Sequence, residues 1–145
     1  MVTLESITAN NLEEVLAVSG NEDQRRFVSP VAESLAQAYV YPKTAFPFAV
    51  RAGDKIVGFI MMGYYEAKDY YTLWKFLIDK DHQNKGYGKQ ALLLGIDFLK
   101  DRFGVSEIYT GVIPDNAVAK KLYLSAGFEE TGLFENGMEE LRLRL

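Results

Sequence analysis

The sequence predicts one α/β domain: a mixed, mostly antiparallel sheet with a central parallel strand pair, flanked by helices. Three observations predict it. Residues 46–51 and 55–65 are strand-like and are joined by Ala52-Gly53-Asp54, a turn whose glycine and aspartate suit an antiparallel hairpin. Residues 70–79, a strongly apolar helical stretch from Gly86 onward, and residues 105–113 form a strand–helix–strand unit. A connection of that length implies a parallel, right-handed crossover. Asn136-Gly137 then closes a last hairpin between 128–133 and 138–145.

Taken in order, residues 2–8 read as a first strand. Asn10 or Asn11 can cap a helix through Val18, with Leu12, Val15 and Leu16 on one face, ended by Gly20 and Asn21. Ser29 as cap and Pro30 at the first helical position start a second helix, with Val31, Leu35, Ala38 and Tyr39 on its apolar side. The strand around Ile56 to Gly63 is apolar on both faces, so it is expected inside the sheet. In the next strand Trp74, Phe76 and Ile78 alternate with Lys75 and Asp79, which predicts one buried face despite Leu77. Ala91, Leu92, Leu93, Leu94, Ile96, Phe98 and Leu99 make the long helix apolar. A shorter helix spans 117–126 and is stopped by Gly127. There is no internal repeat, linker or low-complexity segment, so residues 1–145 read as one domain.

Composition narrows the chemistry. Of the 145 residues, 48% are hydrophobic and 25% charged, ordinary for a globular chain with a proper core. A net charge of −4 argues against a general nucleic-acid surface and is compatible with a cationic substrate. The absence of cysteine removes disulfides, thiolate zinc sites and a cysteine nucleophile, and one histidine cannot build a multi-histidine metal centre. No signal peptide is evident, and the apolar runs 56–62 and 91–96 are too short to span a bilayer. The expectation is a cytoplasmic protein with no metal, nucleic-acid or membrane partner. The strand ending Leu141-Arg142-Leu143-Arg144-Leu145 offers either a homodimer edge or a solvated face.

The stretch Gln83-Asn84-Lys85-Gly86-Tyr87-Gly88-Lys89 carries the chemistry. A loop feeding a helix N-terminus presents backbone N–H groups and the positive end of the helix dipole. Gly86 and Gly88 allow close approach, and Lys85 and Lys89 add charge, so a diphosphate is the natural guest. The same residues fit a dinucleotide G-x-G-x-x-A pattern through Ala91, with Glu107 downstream. A polar hexapeptide separates the strand from Gly86, however, whereas the dinucleotide turn begins at the strand end. A Walker loop fails for want of Lys-Ser/Thr, and a ligand-free helix start is the bland alternative.

Gln83 to Gly88 resembles the Q/R-x-x-G-x-G/A motif of the GNAT (GCN5-related) N-acetyltransferases. Asn116, Ala119, Leu122, Tyr123, Gly127 and Phe128 read N-x-x-A-x-x-L-Y-x-x-x-G-F and resemble that family's second signature. The resemblance implies the GNAT fold over nearly the whole chain, with its parallel pair splayed, and acetyl-CoA as cofactor. It implies that the loop at 83–89 holds the pyrophosphate and that backbone groups of Phe76, Leu77 and Ile78 pair with the pantetheine arm. An N–H near Ile78 would then bond the thioester oxygen. Asn116 is either a helix cap or a cofactor contact; the resemblance implies that Ala119 and Tyr123 also contact the cofactor, while Ala119 and Leu122 read as core on their own. Tyr123 is the implied general acid: a phenol of ordinary pKa about 10 can protonate a thiolate whose acid has a pKa near 8.5. Direct attack by the amine needs no covalent enzyme intermediate. Glu33, Glu66 and Asp69 are candidate bases; His82, beside the pyrophosphate loop, is read as a loop residue.

Among these enzymes the chain is similar to bacterial spermine/spermidine acetyltransferases. The similar stretches are Val28 and Ser29 onward to Tyr39, Val57 to Tyr64, and Trp74 to Asp79. Residues 132–139 depart from the group's usual Gly-Glu opening of the last hairpin. A polyamine needs separated carboxylates and aromatic walls, which Glu33, Tyr64, Tyr65 and Glu66 could supply. Glu129, Glu130, Glu139 and Glu140 read as surface charges. The alternatives are another amine (a protein N-terminus, a lysine or an aminoglycoside) or a non-catalytic acetyl-CoA sensor; Tyr123 favours an enzyme.

Overall fold

The computed structural model describes residues 1–20 and 29–145, which places Asn21 and Val28 outside the described residues. Its strands are β1 (Val2–Glu5), β2 (Ala45–Ala52), β3 (Lys55–Tyr65), β4 (Tyr70–Ile78), β5 (Glu107–Val112), β6 (Glu129–Glu135) and β7 (Met138–Arg144). The described helices are α1 (Leu12–Leu16), α2 (Val31–Val40), α3 (Tyr87–Phe103) and α4 (Ala117–Ser125). The strands form one sheet in the order β1-β2-β3-β4-β5-β7-β6. Every neighbouring pair is antiparallel except β4 and β5. That exception is the crossover through α3, as expected. Both hairpins are also where the turn residues put them: Gly53, Asn136 and Gly137 have φ of 61°, 53° and 77°.

β4 and β5 share one registered backbone pair, Thr72 with Tyr109, and have no registered pair beyond it toward Ile78 and Val112. The Thr110 hydroxyl donates to the Leu73 carbonyl at 3.1 Å, so a side chain stands there in place of a ladder bond. The expected splay is therefore present.

Two apolar clusters sandwich the sheet. One gathers Ile60, Met62 and Leu73 with Ala91, Leu92, Ile96 and Leu99 of α3 and Tyr123 of α4. The other gathers Phe59, Met61 and Leu77 with Val15 of α1 and Val31 of α2. Gly95 brings α3 close to β3, since a Cβ there would lie 2.9 Å from Met62 Sδ and 3.0 Å from Ile60 Cδ1.

The alternation expected for β4 is wrong in one respect. Leu73 and Leu77 are its buried residues, whereas Trp74, Phe76 and Ile78 are half-buried. The cause is a β-bulge. Met61 pairs with Lys75 and Met62 with Leu73, leaving Trp74 as the extra residue. An inserted residue reverses the in–out phase beyond it, so Leu73 and Leu77 reach opposite clusters.

Other local expectations are corrected as well. Leu12 and Leu16 are exposed and only Val15 of that trio is buried, because α1 is a turn and a half long and presents one residue to the sheet. Tyr39 is 86% exposed. The first strand ends at Glu5, where the chain bends under the Asn11 side chain. Asn11 Oδ1 accepts from Thr8 N at 2.9 Å, and its amide donates to Glu5 Oε1 and to the Ser6 carbonyl. It thus staples the loop and does not cap α1. Pro30, not Ser29, is the N-cap of α2, while Ser29 Oγ accepts from Lys75 Nζ at 3.1 Å.

Candidate active site

At the C-terminal end of β4, Asp79 anchors the loop that follows. Its backbone N–H donates to the Val57 carbonyl at 2.7 Å, and its carboxylate accepts from Ser19 N and Asp81 N at 3.0 and 3.3 Å. The same carboxylate lies 3.3 Å from His82 Nδ1. Lys80 N donates back to the Ser19 carbonyl at 2.8 Å. The short 3₁₀ turn Lys80–His82 is therefore tied both to β4 and to the segment after α1. Gln83 folds back so that Nε2 donates to the Ile78 carbonyl at 3.0 Å.

The loop then enters α3 through two left-handed residues, Asn84 at φ 63° and Gly86 at φ 80°. Gly86 is the N-cap, and among the described residues no side-chain hydrogen bond caps the helix start. The first backbone bond into the helix is Gln90 N to the Gly86 carbonyl. Uncapped N–H groups at a three-turn-plus helix start, reached through a left-handed glycine, make a seat for an anion. Gly88 adds room: a Cβ there would stand 3.5 Å from Leu122 Cδ2 and 3.7 Å from Ile78 Cγ1, filling the space between β4 and α4.

That space is a cleft of about 170 Å³. The sequence-predicted residues Phe76, Leu77, Ile78, Gln83, Asn84, Tyr87, Gly88, Asn116, Ala119 and Tyr123 all line it. Lys85, Gly86 and Lys89 lie beside it and outside its lining; Lys89 Nζ donates to the Ser125 carbonyl at 3.3 Å. His82, Val118 and Leu122 complete the wall. Sequence reasoning set His82 aside as a loop residue; here it lines the cleft while its Nδ1 lies 3.3 Å from the Asp79 carboxylate. Asn116 does cap α4, its Oδ1 accepting from Ala119 N at 3.4 Å, while also facing the cleft.

Tyr123 sits where the cleft meets the core. It is 8% exposed and its ring packs on Phe128, centroids 5.9 Å apart. Burial pushes its phenol well above the ordinary range, because the phenolate would be poorly solvated. The hydroxyl consequently keeps its proton at any physiological pH, as a proton donor requires.

A second cleft, of about 350 Å³, opens on the other stretch of β4. Thr72, Leu73 and Trp74 line it, so Lys75 alone separates the two linings along the strand. Tyr64, Tyr65, Tyr70 and Trp74 supply aromatic walls, and Glu135, Glu139 and Glu140 supply carboxylates. Asp69 holds the Tyr64 hydroxyl by a hydrogen bond that pushes that phenol up. Of the predicted acceptor residues, Tyr64 and Tyr65 are here, whereas Glu33 and Glu66 are exposed outside the lining.

Glu139 is a correction, being 4% exposed and not a surface charge. Strand alternation carried the signal, since Glu139 shares a face with buried Leu141 and Leu143. Its carboxylate meets Lys120 Nζ at 2.7 Å, and Lys120 also reaches Glu130 at 2.9 Å.

Comparison with known proteins bears on the family and the fold. A model of the acetyltransferase (GNAT) family matches residues 15–128. A ribosomal protein bS18-alanine N-acetyltransferase of Escherichia coli strain K12 is 31% identical over 117 residues, 74% of this chain and 78% of its own. A spermine/spermidine N(1)-acetyltransferase of Bacillus subtilis strain 168 is 24% identical over 152 aligned positions, 99% of this chain and 97% of its own. The crystal structure of spermidine N-acetyltransferase from Vibrio cholerae, in complex with CoA and spermine, shares the fold at a TM-score of 0.74 and 20% identity, over 97% of this chain and 92% of that one.

Proposed function

The chain belongs to the GNAT acetyltransferase family, and from that premise we propose that it moves an acetyl group from acetyl-CoA to a primary amine of a polyamine. The observation that carries the choice of amine is the second cleft, whose aromatic walls and three carboxylates suit a flexible polycation. The spermine/spermidine acetyltransferase likeness over nearly the full chain supports the same reading.

The residues of the first cleft fit the cofactor. Acetyl-CoA supplies the acyl group as an activated thioester when bound. The uncapped start of α3, with Gly86 and Gly88, would hold its diphosphate. The edge of β4 at Phe76, Leu77 and Ile78 is freed from β5 by the splay and would pair with amide groups as an added strand does. A backbone N–H near Ile78 would sit where negative charge gathers on the acyl oxygen. Tyr123 lines this cleft, holds its proton at the phenolic oxygen and would be the group that protonates the departing thiolate.

The amine must arrive deprotonated, so a carboxylate or water chain in the second cleft would take its proton. We assign that cleft, with Tyr64 and Tyr65, to the acceptor. Glu33 and Glu66 are left as outer charges that could guide a cation toward it.

The test is thiol release from acetyl-CoA against spermine, spermidine, a short diamine, an aminoglycoside and a peptide beginning with alanine. The expected result is saturable turnover, highest kcat/KM with a polyamine. Highest kcat/KM with the peptide would transfer the reading to a protein N-terminus, which the 31% identical relative favours. No release with any amine, and coenzyme A still bound, would replace catalysis by sensing.

A further inference from the structure

The carboxylates of the second cleft are not neutralised alike. Glu139 is held by Lys120, whose own residue stands outside the lining. Glu135 and Glu140 face Lys68, which is itself a lining residue and the one cationic side chain of that lining among the described residues. Lys68 Nζ donates to Glu135 Oε2 and lies 3.8 Å from Glu140 Oε2. The Glu140 carboxylate is fixed from the other side, accepting from Thr131 Oγ1 at 2.9 Å. Lys68 comes from the short 3₁₀ turn Glu66–Lys68 that joins β3 to β4, a turn with no buried residue. Its side chain is 30% exposed although it spans to the far hairpin.

An alkylammonium on a four-carbon stem, laid between two carboxylates, has the chemistry of one end of a diamine. It differs from a substrate only in being attached to the chain. We propose that Lys68 is an internal occupant of the acceptor cleft: its ammonium competes with the distal ammonium of a polycationic acceptor for Glu135 and Glu140, and so sets the affinity and the preference for multiply charged amines. This rests on the acceptor assignment above. The exchange is easy on both sides. The turn that carries Lys68 is exposed, so the side chain can swing into water without unpacking the core. The carboxylates keep a cation in either state, so no charge is left unpaired during the swap.

The competition predicts a direction that ordinary charge intuition also gives, but with a selectivity it does not. Lys68→Met lowers KM for spermidine by roughly two- to fivefold, the range expected for losing one exposed ion-pair competitor. KM for a monoamine of similar length falls less, since it has no distal ammonium to place there. Lys68→Arg keeps the charge and shows a smaller fall than Lys68→Met. A KM for spermidine that is unchanged or raised in Lys68→Met, or that falls equally for the monoamine, overturns the proposal.

A second measurement needs no turnover. Lys68 is labelled with an amine-specific acylating reagent and quantified by peptide mass spectrometry, with and without a bis-quaternary alkane dication that can be neither acylated nor turned over. Displacement raises labelling of Lys68 by the dication while leaving Lys55 unchanged. Labelling that stays flat at saturating dication overturns the internal-occupant role. If no polyamine is turned over yet labelling rises, the role of Lys68 stands and the polyamine assignment is the part that fails.

Discussion

Gly58→Ala is expected to weaken the fold and the first cleft together. Gly58 pairs with Ile78 across β3 and β4. A Cβ at Gly58 would lie 2.7 Å from the Leu77 carbonyl oxygen and 2.8 Å from Ile78 Cδ1. The isoleucine methyl can rotate away, but the carbonyl belongs to the backbone and can move only with the strand. Overpacking of this kind costs about 1–3 kcal/mol, against about 0.4–1 kcal/mol gained from a stiffer unfolded chain. Because the contact is with backbone, the cost lies in the upper part of its range, and the net is a loss of about 1–2 kcal/mol. At the usual unfolding entropy per residue, a chain of this size loses roughly 3–7 °C in Tm. Because Leu77 and Ile78 line the first cleft, coenzyme A affinity should fall in the same variant. Gly95→Ala is the internal control. Its crowding is against Met62 Sδ and Ile60 Cδ1, which are side-chain ends, and alanine recovers roughly 0.8–1 kcal/mol of helix propensity. Differential scanning calorimetry with isothermal titration of coenzyme A reads both. A Gly58→Ala protein as stable as the parent, or a Gly95→Ala protein losing as much as Gly58→Ala, would show that the contact distances do not govern these sites.

Three further outcomes are expected. Tyr123→Phe should cut kcat by about 10²-fold or more, the usual scale for a lost acid, with coenzyme A affinity held in titration. Because the Tyr123 phenol is raised above 10.0 and would act in its protonated form, the parent enzyme's kcat should show no alkaline fall from this group below pH 10. Gly86→Ala forces φ of 80° on an alanine, so it should cost about 1 kcal/mol in denaturant unfolding and weaken coenzyme A binding. Glu5 accepts from Arg51 at 2.8 and 2.9 Å and from Asn11 at 3.0 Å, which holds its carboxyl below 4.5. A lowered folded-state pKa gives stability that is complete above the unfolded value and is lost as pH falls through the folded one. Glu5→Gln should therefore be less stable than the parent at pH 7, and the difference should shrink below about pH 4.5, read by pH-dependent urea melts.

The architecture was legible where local chemistry decides it. Asn136-Gly137 and Gly53-Asp54 fixed their hairpins, and the strand–helix–strand unit fixed the parallel pair. The first cleft was legible because Gly86, Gly88 and the α3 start act through backbone geometry that a short motif encodes. The second cleft was not, because it is assembled across distant segments: Tyr64 and Lys68 from one hairpin, Glu135 and Glu139 from the last. Glu139 hid behind its charge, since only pairing with Lys120 of α4 makes its burial tolerable. The phase of β4 hid for another reason. A bulge at Trp74 is created by pairing with β3, and nothing in Trp74-Lys75-Phe76 alone announces it.

The single registered pair between β4 and β5 divides the sheet into a four-stranded and a three-stranded leaf. Such a seam has few backbone bonds to break, so amides along the free edge of β4 should exchange with solvent by small local openings, ahead of global unfolding. A guest that lies in the seam as an eighth strand would bond to one leaf and pack on the other. Its binding energy would then be felt as mechanical stitching: slower exchange at Phe76 and Ile78, and a melting temperature that climbs with the logarithm of guest concentration. The weakest line of the apo sheet would become the place where occupancy is most readily read.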